Sequence, residues 1–171
     1  MFWVNQKYWP ENGVPLAYFG VLLAGYSLLL GLAGRSAALG SARYGRRPLL
    51  AAVGVLPVIA CFRMASFLGW GGILFGTLVQ VSKGLGGVLF QDALNEKVSS
   101  AFRATVISMA ILGTRASFCL LGPLAGYGID RWGLPPVLSA LGILYSIAFV
   151  CLLLPLLLRE PRDSGEELRP A

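Results

Sequence analysis

The chain has 171 residues, of which 56% are hydrophobic and 13% are charged, and its formal net charge at pH 7 is +6. Soluble domains carry about 25% charged residues, so a chain this apolar cannot cover a water-facing surface with polar groups. The composition therefore excludes an ordinary soluble domain and predicts an integral membrane protein in contact with the lipid bilayer. The basic residues lie between apolar runs, which is typical of membrane topology and argues against a nucleic-acid partner.

Five apolar segments are long enough to cross a bilayer, which takes about 20 residues of helix. Lipid offers the backbone amides no hydrogen-bond partners and the segments lack strand-like alternation, so we predict helices. The fold class is therefore all-α integral membrane, with a helical bundle over residues 1–158 and a polar cytoplasmic tail over residues 159–171. The predicted spans are 14–36, 48–66, 69–91, 103–128 and 134–158.

The distribution of basic residues predicts the orientation in the membrane. Cytoplasmic loops are enriched in Lys and Arg, so the side that carries more of them is predicted to be cytoplasmic. This places the N-terminus outside and the C-terminus inside a plasma or inner cell membrane. The predicted cytoplasmic residues are Arg35, Arg43, Arg46, Arg47, Lys97, Arg103, Arg159, Arg162 and Arg169, against Lys7, Arg63 and Arg131 on the other side.

Segment 39–50, LGSARYGRRPLL, resembles a cytoplasmic loop motif of the major facilitator superfamily, Gly-x-x-x-Asp-Arg-x-Gly-Arg-Arg. The matching residues are Arg43, Gly45, Arg46 and Arg47. Ala42 replaces the aspartate of the motif and Ala38 replaces its first glycine. The family carries a degenerate copy of this motif between its helices 8 and 9, and segment 39–50 is similar to that copy.

The flanking segments resemble the same family in the same order. Residues 2–20 are similar to the end of helix 7 and the outer loop that follows it, and we expect their aromatic side chains at the membrane interface: Trp3, Tyr8 and Trp9. Residues 92–109 resemble the loop after helix 10, and residues 121–133 resemble the end of helix 11. The second of these carries a weak likeness to the Gly-Pro-x-x-Gly motif of antiporters, through Gly122, Pro123 and Gly126, which we also expect to serve helix packing.

This resemblance implies that the chain corresponds to helices 8–12 of a secondary carrier, a partial C-terminal bundle without the N-terminal half. Such carriers move a small molecule by alternating access around a site that both halves share. We therefore expect efflux-like transport of an unknown substrate, with the chain inactive alone and in need of an N-terminal half or another membrane partner. The alternative is a helical subunit without transport activity, or a truncated gene product, that assembles with another membrane protein.

An ionisable residue inside a membrane span is a candidate for the substrate pathway, because a charge in lipid is costly. Arg115 lies near the middle of the fourth span, on a face of small and polar residues: Ser108, Cys119, Gly122 and Gly126. It contacts either a polar group in the transport path or the backbone carbonyls of a neighbouring helix, and both interpretations stay open.

Lys83 shares a helical face with Gln80 in the third span. It either lies inside a span at 69–91 and points into the protein, or it ends a shorter span at 64–82. We favour the first, because the second leaves no turn before the third span. The basic residues Arg43–Arg47 also have two interpretations: a determinant of topology that binds anionic lipid headgroups, which we favour, or a latch with acidic partners on adjacent helix ends.

The chain has no histidine, and no predicted span contains a carboxylate. We therefore expect no enzymatic activity, and we place any carboxylate used for proton coupling in the other half of the carrier. Three cysteines occur at spacings unsuited to a zinc site, so no metal or cofactor is expected.

Overall fold

The computed structural model describes residues 2–66 and 70–159. Over these ranges the chain is almost entirely helical and has no strand. This confirms the all-α class, and five of the described helices are long and apolar enough to cross a membrane. The predicted polar tail lies outside the described residues from position 160 onward.

A short N-terminal helix precedes the long ones. The helices are α1 (Phe2–Glu11), α2 (Phe19–Tyr44), α3 (Arg46–Ser66), α4 (Trp70–Lys97), α5 (Ser100–Trp132), α6 (Leu134–Ala148) and α7 (Leu154–Arg159). A π-helical segment, Phe149–Leu153, joins α6 to α7, so the three form one last span. This segment ends just before Pro155, which has no N–H and whose ring clashes with the preceding turn of a regular helix. Such single π turns inside an α-helix are rare, and this one marks a local irregularity of the last span.

Three of the helices run further than the sequence predicted. The first span was expected to end at residue 36, but α2 continues to Tyr44, and α4 continues beyond residue 91 to Lys97. The fourth span was expected at 103–128, but α5 covers Ser100–Trp132. The expected loop at 39–50 is helical except at Gly45, which alone separates α2 from α3. The prediction ended each span where polar residues begin, whereas a helix can continue past the hydrocarbon into the headgroup region, where charged side chains are tolerated.

The α4 helix is the centre of the bundle, with α2 and α3 packed against it and the last span packed against α3. Gly84 of α4 lies directly against the backbone of α2. A Cβ atom added at Gly84 would be 2.5 Å from the carbonyl oxygen of Leu30 and 2.8 Å from Cβ of Ala33. On the α3 side, the Ser82 hydroxyl donates a 2.8 Å hydrogen bond to the carbonyl of Val53. Small residues thus allow the close helix contacts that membrane bundles use.

The α1 helix docks against one end of this bundle, which we call the α1 end. Tyr8 and Trp9 are fully buried there against other residues of the chain, and their position in the interfacial belt stays a prediction. The Trp9 ring lies 5.0 Å from that of Phe19 and 5.7 Å from that of Tyr26, between ring centroids. Tyr26 in turn donates a 2.9 Å hydrogen bond to the carbonyl of Ile73 on α4. The side chain of Trp3 lies outside the described part of the chain.

The α5 helix stands apart from the bundle over most of its length. Near its C-terminus, Ile129 joins the buried cluster that contains Trp9 and Leu134. Between residues 111 and 121, by contrast, every position is exposed. This helix of 33 residues is about 50 Å long, so a large apolar surface remains without a neighbour in the described chain.

Candidate site at the middle of the bundle

Lys83 and Gln80 lie at the middle of α4. The helix has 28 residues and is about 42 Å long, longer than a hydrocarbon core of about 30 Å. A bilayer with its two interfaces at the ends of α4 would have its centre near these two residues. The third span was predicted either at 69–91 or at 64–82. The second position is excluded, because α3 continues to Ser66 and α4 begins at Trp70.

The two side chains have different surroundings. Gln80 is buried, one turn from Gly76 and from Gly84, the two glycines of α4 that approach α2. The side chain of Lys83 is exposed, so the expectation that it points into the protein is wrong for this chain. Lys83 forms no hydrogen bond or ion pair with a described residue.

Lys83 instead lies at a cleft of about 470 Å³ between α3, α4 and the last span. The lining residues are Val53, Gly54, Pro57, Val79, Ser82, Lys83, Gly86, Tyr145, Ala148, Phe149, Leu152 and Leu153. Most of them are apolar, and the hydroxyl of Ser82 is already bonded to α3. Lys83 and Tyr145 are therefore the other lining residues that carry a polar side-chain group.

Arg115 is not brought to this cleft. It is exposed at the middle of α5 and has no hydrogen bond or ion pair with a described residue. The motif residues Gly122, Pro123 and Gly126 follow on the same helix. The nearest atoms to a Cβ at Gly122 belong to Phe118 of α5 itself, and no atom lies within 4 Å of one at Gly126. The proposed packing role of these three residues stays a prediction.

The basic motif lies at the end of the bundle opposite α1. Gly45 forms the turn with φ 77° and ψ 176°, a conformation essentially restricted to glycine. Arg46 binds the Glu96 carboxylate through both terminal nitrogens, with 2.7 Å between Nη1 and Oε2. Arg47 is half-buried, with its Nε atom unpaired among the described residues. The side chain of Arg43 lies outside the described residues.

The pair between Arg46 and Glu96 has the arrangement that the latch interpretation requires, an arginine at one helix end and a carboxylate at the adjacent one. This contact differs from the one with lipid headgroups that the sequence analysis favours for the motif. The sequence did not identify Glu96, because its proximity to Arg46 depends on which helices are neighbours. The interaction with lipid headgroups stays a prediction for Arg47.

A second ion pair lies at the α1 end. Lys7 of α1 donates to Asp130 near the C-terminus of α5, with 2.7 Å between Nζ and Oδ1. The hydrogen bond that Lys7 donates to Asp130, together with the negative charge of that carboxylate, raises the pKa of Lys7 above the ordinary value of 10.5. This pair adds an electrostatic contact between α1 and the end of α5 to the apolar contacts there.

The Lys7–Asp130 pair predicts a weakening of α1 docking at high pH. Because the folded chain raises the pKa of Lys7, the contribution of the pair is complete below pH 10.5 and is lost as the pH rises through the raised pKa. Because the pair is exposed, we expect a small fall in the free energy of unfolding over this range, measured by the loss of helical circular dichroism as sodium dodecyl sulfate is added. The same measurement on Lys7→Met should show no such fall, and an identical fall in both proteins would contradict the assignment.

Comparison of the chain with protein-family models, curated proteins and solved structures finds no match. The class of protein is therefore defined in broad terms, by its fold. The chain is an all-helical protein whose five long apolar helices fit a membrane protein. Membership of the major facilitator superfamily stays a prediction.

Proposed function

We propose that the chain is the C-terminal membrane part of a secondary carrier of the major facilitator type, which exports a small molecule across the cell membrane by alternating access. The observation that carries this proposal is the free middle of α5, a helix of membrane length with the unpaired Arg115 at its centre. Charged residues at this depth face a protein interior or a water-filled path and not lipid.

A partner helix bundle packed against α5 would place Arg115 in a protein interior or a water-filled path and away from lipid. The proposed carrier therefore consists of this chain and an N-terminal half or another membrane protein, with the substrate path between them. In the proposed orientation the N-terminus is outside and the pair between Arg46 and Glu96 is cytoplasmic. That pair supports the proposal because it links the ends of α3 and α4, as a latch would.

The same free surface on α5 also supports a second candidate function, that of a helical subunit without transport activity. A subunit of this kind would bury the apolar faces of α5 against its partner and use Arg115 only for hydrogen bonds at the interface. The two functions share the assembly step and differ in whether a solute crosses the membrane.

Assembly is tested by cross-linking through the native cysteines. Cys119 lies on the free stretch of α5, and Cys151 is an exposed cysteine on the last span. A bifunctional maleimide added to native membranes should join the chain to a partner, and Cys119→Ser should abolish this product. Cys151→Ser is the matched control and should retain it. Absence of any product dependent on Cys119 would contradict both functions.

Transport is tested by the accumulation of fluorescent organic cations and anions in cells that lack the gene. We expect higher accumulation of at least one probe without the chain, and a return to the normal level with the wild-type chain. Arg115→Ala should fail to restore export, whereas Arg35→Ala, an exposed arginine of α2, should restore it. Unchanged accumulation of every probe, together with a cross-linked partner, would favour the subunit.

A further inference from the structure

The cleft beside Lys83 has the size of a site for a small organic molecule. Its volume of about 470 Å³ falls within the range of about 300–1,000 Å³ that is usual for such sites. Its walls come from three elements: Val79 from α4, Pro57 from α3 and Phe149 from the π-helical segment. These apolar walls favour an apolar ligand body.

The shape of the cleft depends on a close contact between α3 and the π-helical segment. The Phe149 ring packs directly on the backbone of Gly54 and occupies the space that a Cβ atom at Gly54 would need. Leu153 Cδ1 would lie 3.0 Å from the same Cβ atom. Gly86 of α4 makes a looser approach to Val53 of α3, at 3.4 Å for the corresponding Cβ. Backbone packing at these two glycines therefore holds the walls in place.

Lys83 is the one charged residue that lines this cleft. Its ammonium has no partner in the described chain, and in a bilayer with its two interfaces at the ends of α4 it would lie near the centre, where an uncompensated charge is costly. An anionic group on the ligand would offset this cost and form a charge-assisted hydrogen bond. The Tyr145 hydroxyl, which has no hydrogen bond to a described residue, offers a second donor in the same cleft.

We propose that this cleft binds a single-chain or aromatic carboxylic acid, with the carboxylate at Lys83 and the apolar body against Val79 and Phe149. The depth of Lys83 favours a free acid over a phospholipid. The headgroup of a phospholipid lies about 15 Å from the membrane centre, half the thickness of the hydrocarbon core. The site excludes Arg115 and α5, so it does not depend on the proposed transport activity.

The test is binding of dansyl-aminoundecanoic acid to the purified full chain in phosphatidylcholine nanodiscs, followed by dansyl fluorescence. We expect saturable binding that decanoic acid displaces and decanol does not. Lys83→Met should weaken binding by about tenfold or more, as expected for loss of a hydrogen bond to a charged group. Lys83→Arg should bind within a few-fold of the wild type, and Lys97→Met, at the end of the same helix, should bind as the wild type does.

A second variant keeps the test independent of the charge. Ala148→Trp fills the cleft from the last span and should abolish saturable binding while helicity is retained. Wild-type affinity in either Lys83→Met or Ala148→Trp would overturn the proposal, as would equal weakening by Lys97→Met. Displacement by phosphatidylglycerol as effective as that by decanoic acid would overturn the assignment to a free acid and indicate a lipid site.

Discussion

Replacement of Trp9 by alanine is expected to destabilise the chain by about 3–5 kcal/mol, the usual cost of removing a buried aromatic side chain from a packed core. Trp9 is 1% exposed and packs edge-on against Phe19 and Tyr26. The α1 helix precedes the first span, so an undocked Trp9 would meet water or the headgroup region and not hydrocarbon. Burial of this side chain therefore has a hydrophobic driving force, which contacts between membrane spans lack.

Trp132 provides the matched control for this variant. It is a tryptophan near the same end of the bundle, but it is 63% exposed and its ring contact is with Tyr127 of the same helix. Trp132→Ala should change the free energy of unfolding by only about 0.5 kcal/mol, as for other exposed positions. Both variants are measured by the loss of helical circular dichroism as sodium dodecyl sulfate is added to chain in mild detergent. Equal losses of stability would contradict the assignment of Trp9 to the core.

Gly84→Ala is expected to destabilise the contact between α2 and α4 by about 1–3 kcal/mol, the usual cost of overpacking. The new methyl group would lie 2.5 Å from the Leu30 carbonyl oxygen and 3.1 Å from the backbone nitrogen of Gly34. These are backbone atoms, so no rotamer change can relieve the overlap. The two helices have to move apart, and they lose the close packing on which membrane helices depend.

Gly87→Ala is the control for Gly84→Ala, one turn along the same helix. No atom lies within 4 Å of a Cβ at this position, and alanine has the higher helix propensity. The same unfolding titration should therefore give a stability at or above that of the wild type. A similar loss for both variants would mean that any added methyl group on α4 is harmful and that the Gly84 contact is not special.

The sequence predicted the spans well because their existence depends on length and apolar content, which need no knowledge of neighbours. It predicted poorly which face of each helix is buried against its neighbours. A soluble helix has a polar side and an apolar side that orient it, but a membrane helix is apolar all round. Gln80 and Lys83 could therefore be placed at one depth in α4, while the burial of the first and the exposure of the second depended on where α2 and α3 pack.

The docking of α1 was missed for a related reason. Tyr8 and Trp9 occur in a polar segment, and aromatic residues are equally typical of a membrane interface and of a packed core. Only the positions of Phe19 and Tyr26 on the next helix make the second environment possible. The pairing of Arg46 with Glu96 likewise joins residues 50 positions apart, which no local pattern relates.

The single-residue connections at Gly45 and Gly133 have a mechanical consequence. Gly133 has nearly the same backbone conformation as Gly45, with φ 82° and ψ 174°, so α5 and α6 are coupled as closely as α2 and α3. Any change of the angle between the helices of a pair therefore falls on the φ and ψ of one glycine, which tolerates rotations that other residues do not. Gly133 allows α5, whose middle has no neighbour in the described chain, to change its angle while α6 stays packed against α3. Such a swing of α5 would break the pair between Lys7 and Asp130 and leave the contacts between α2 and α4 intact.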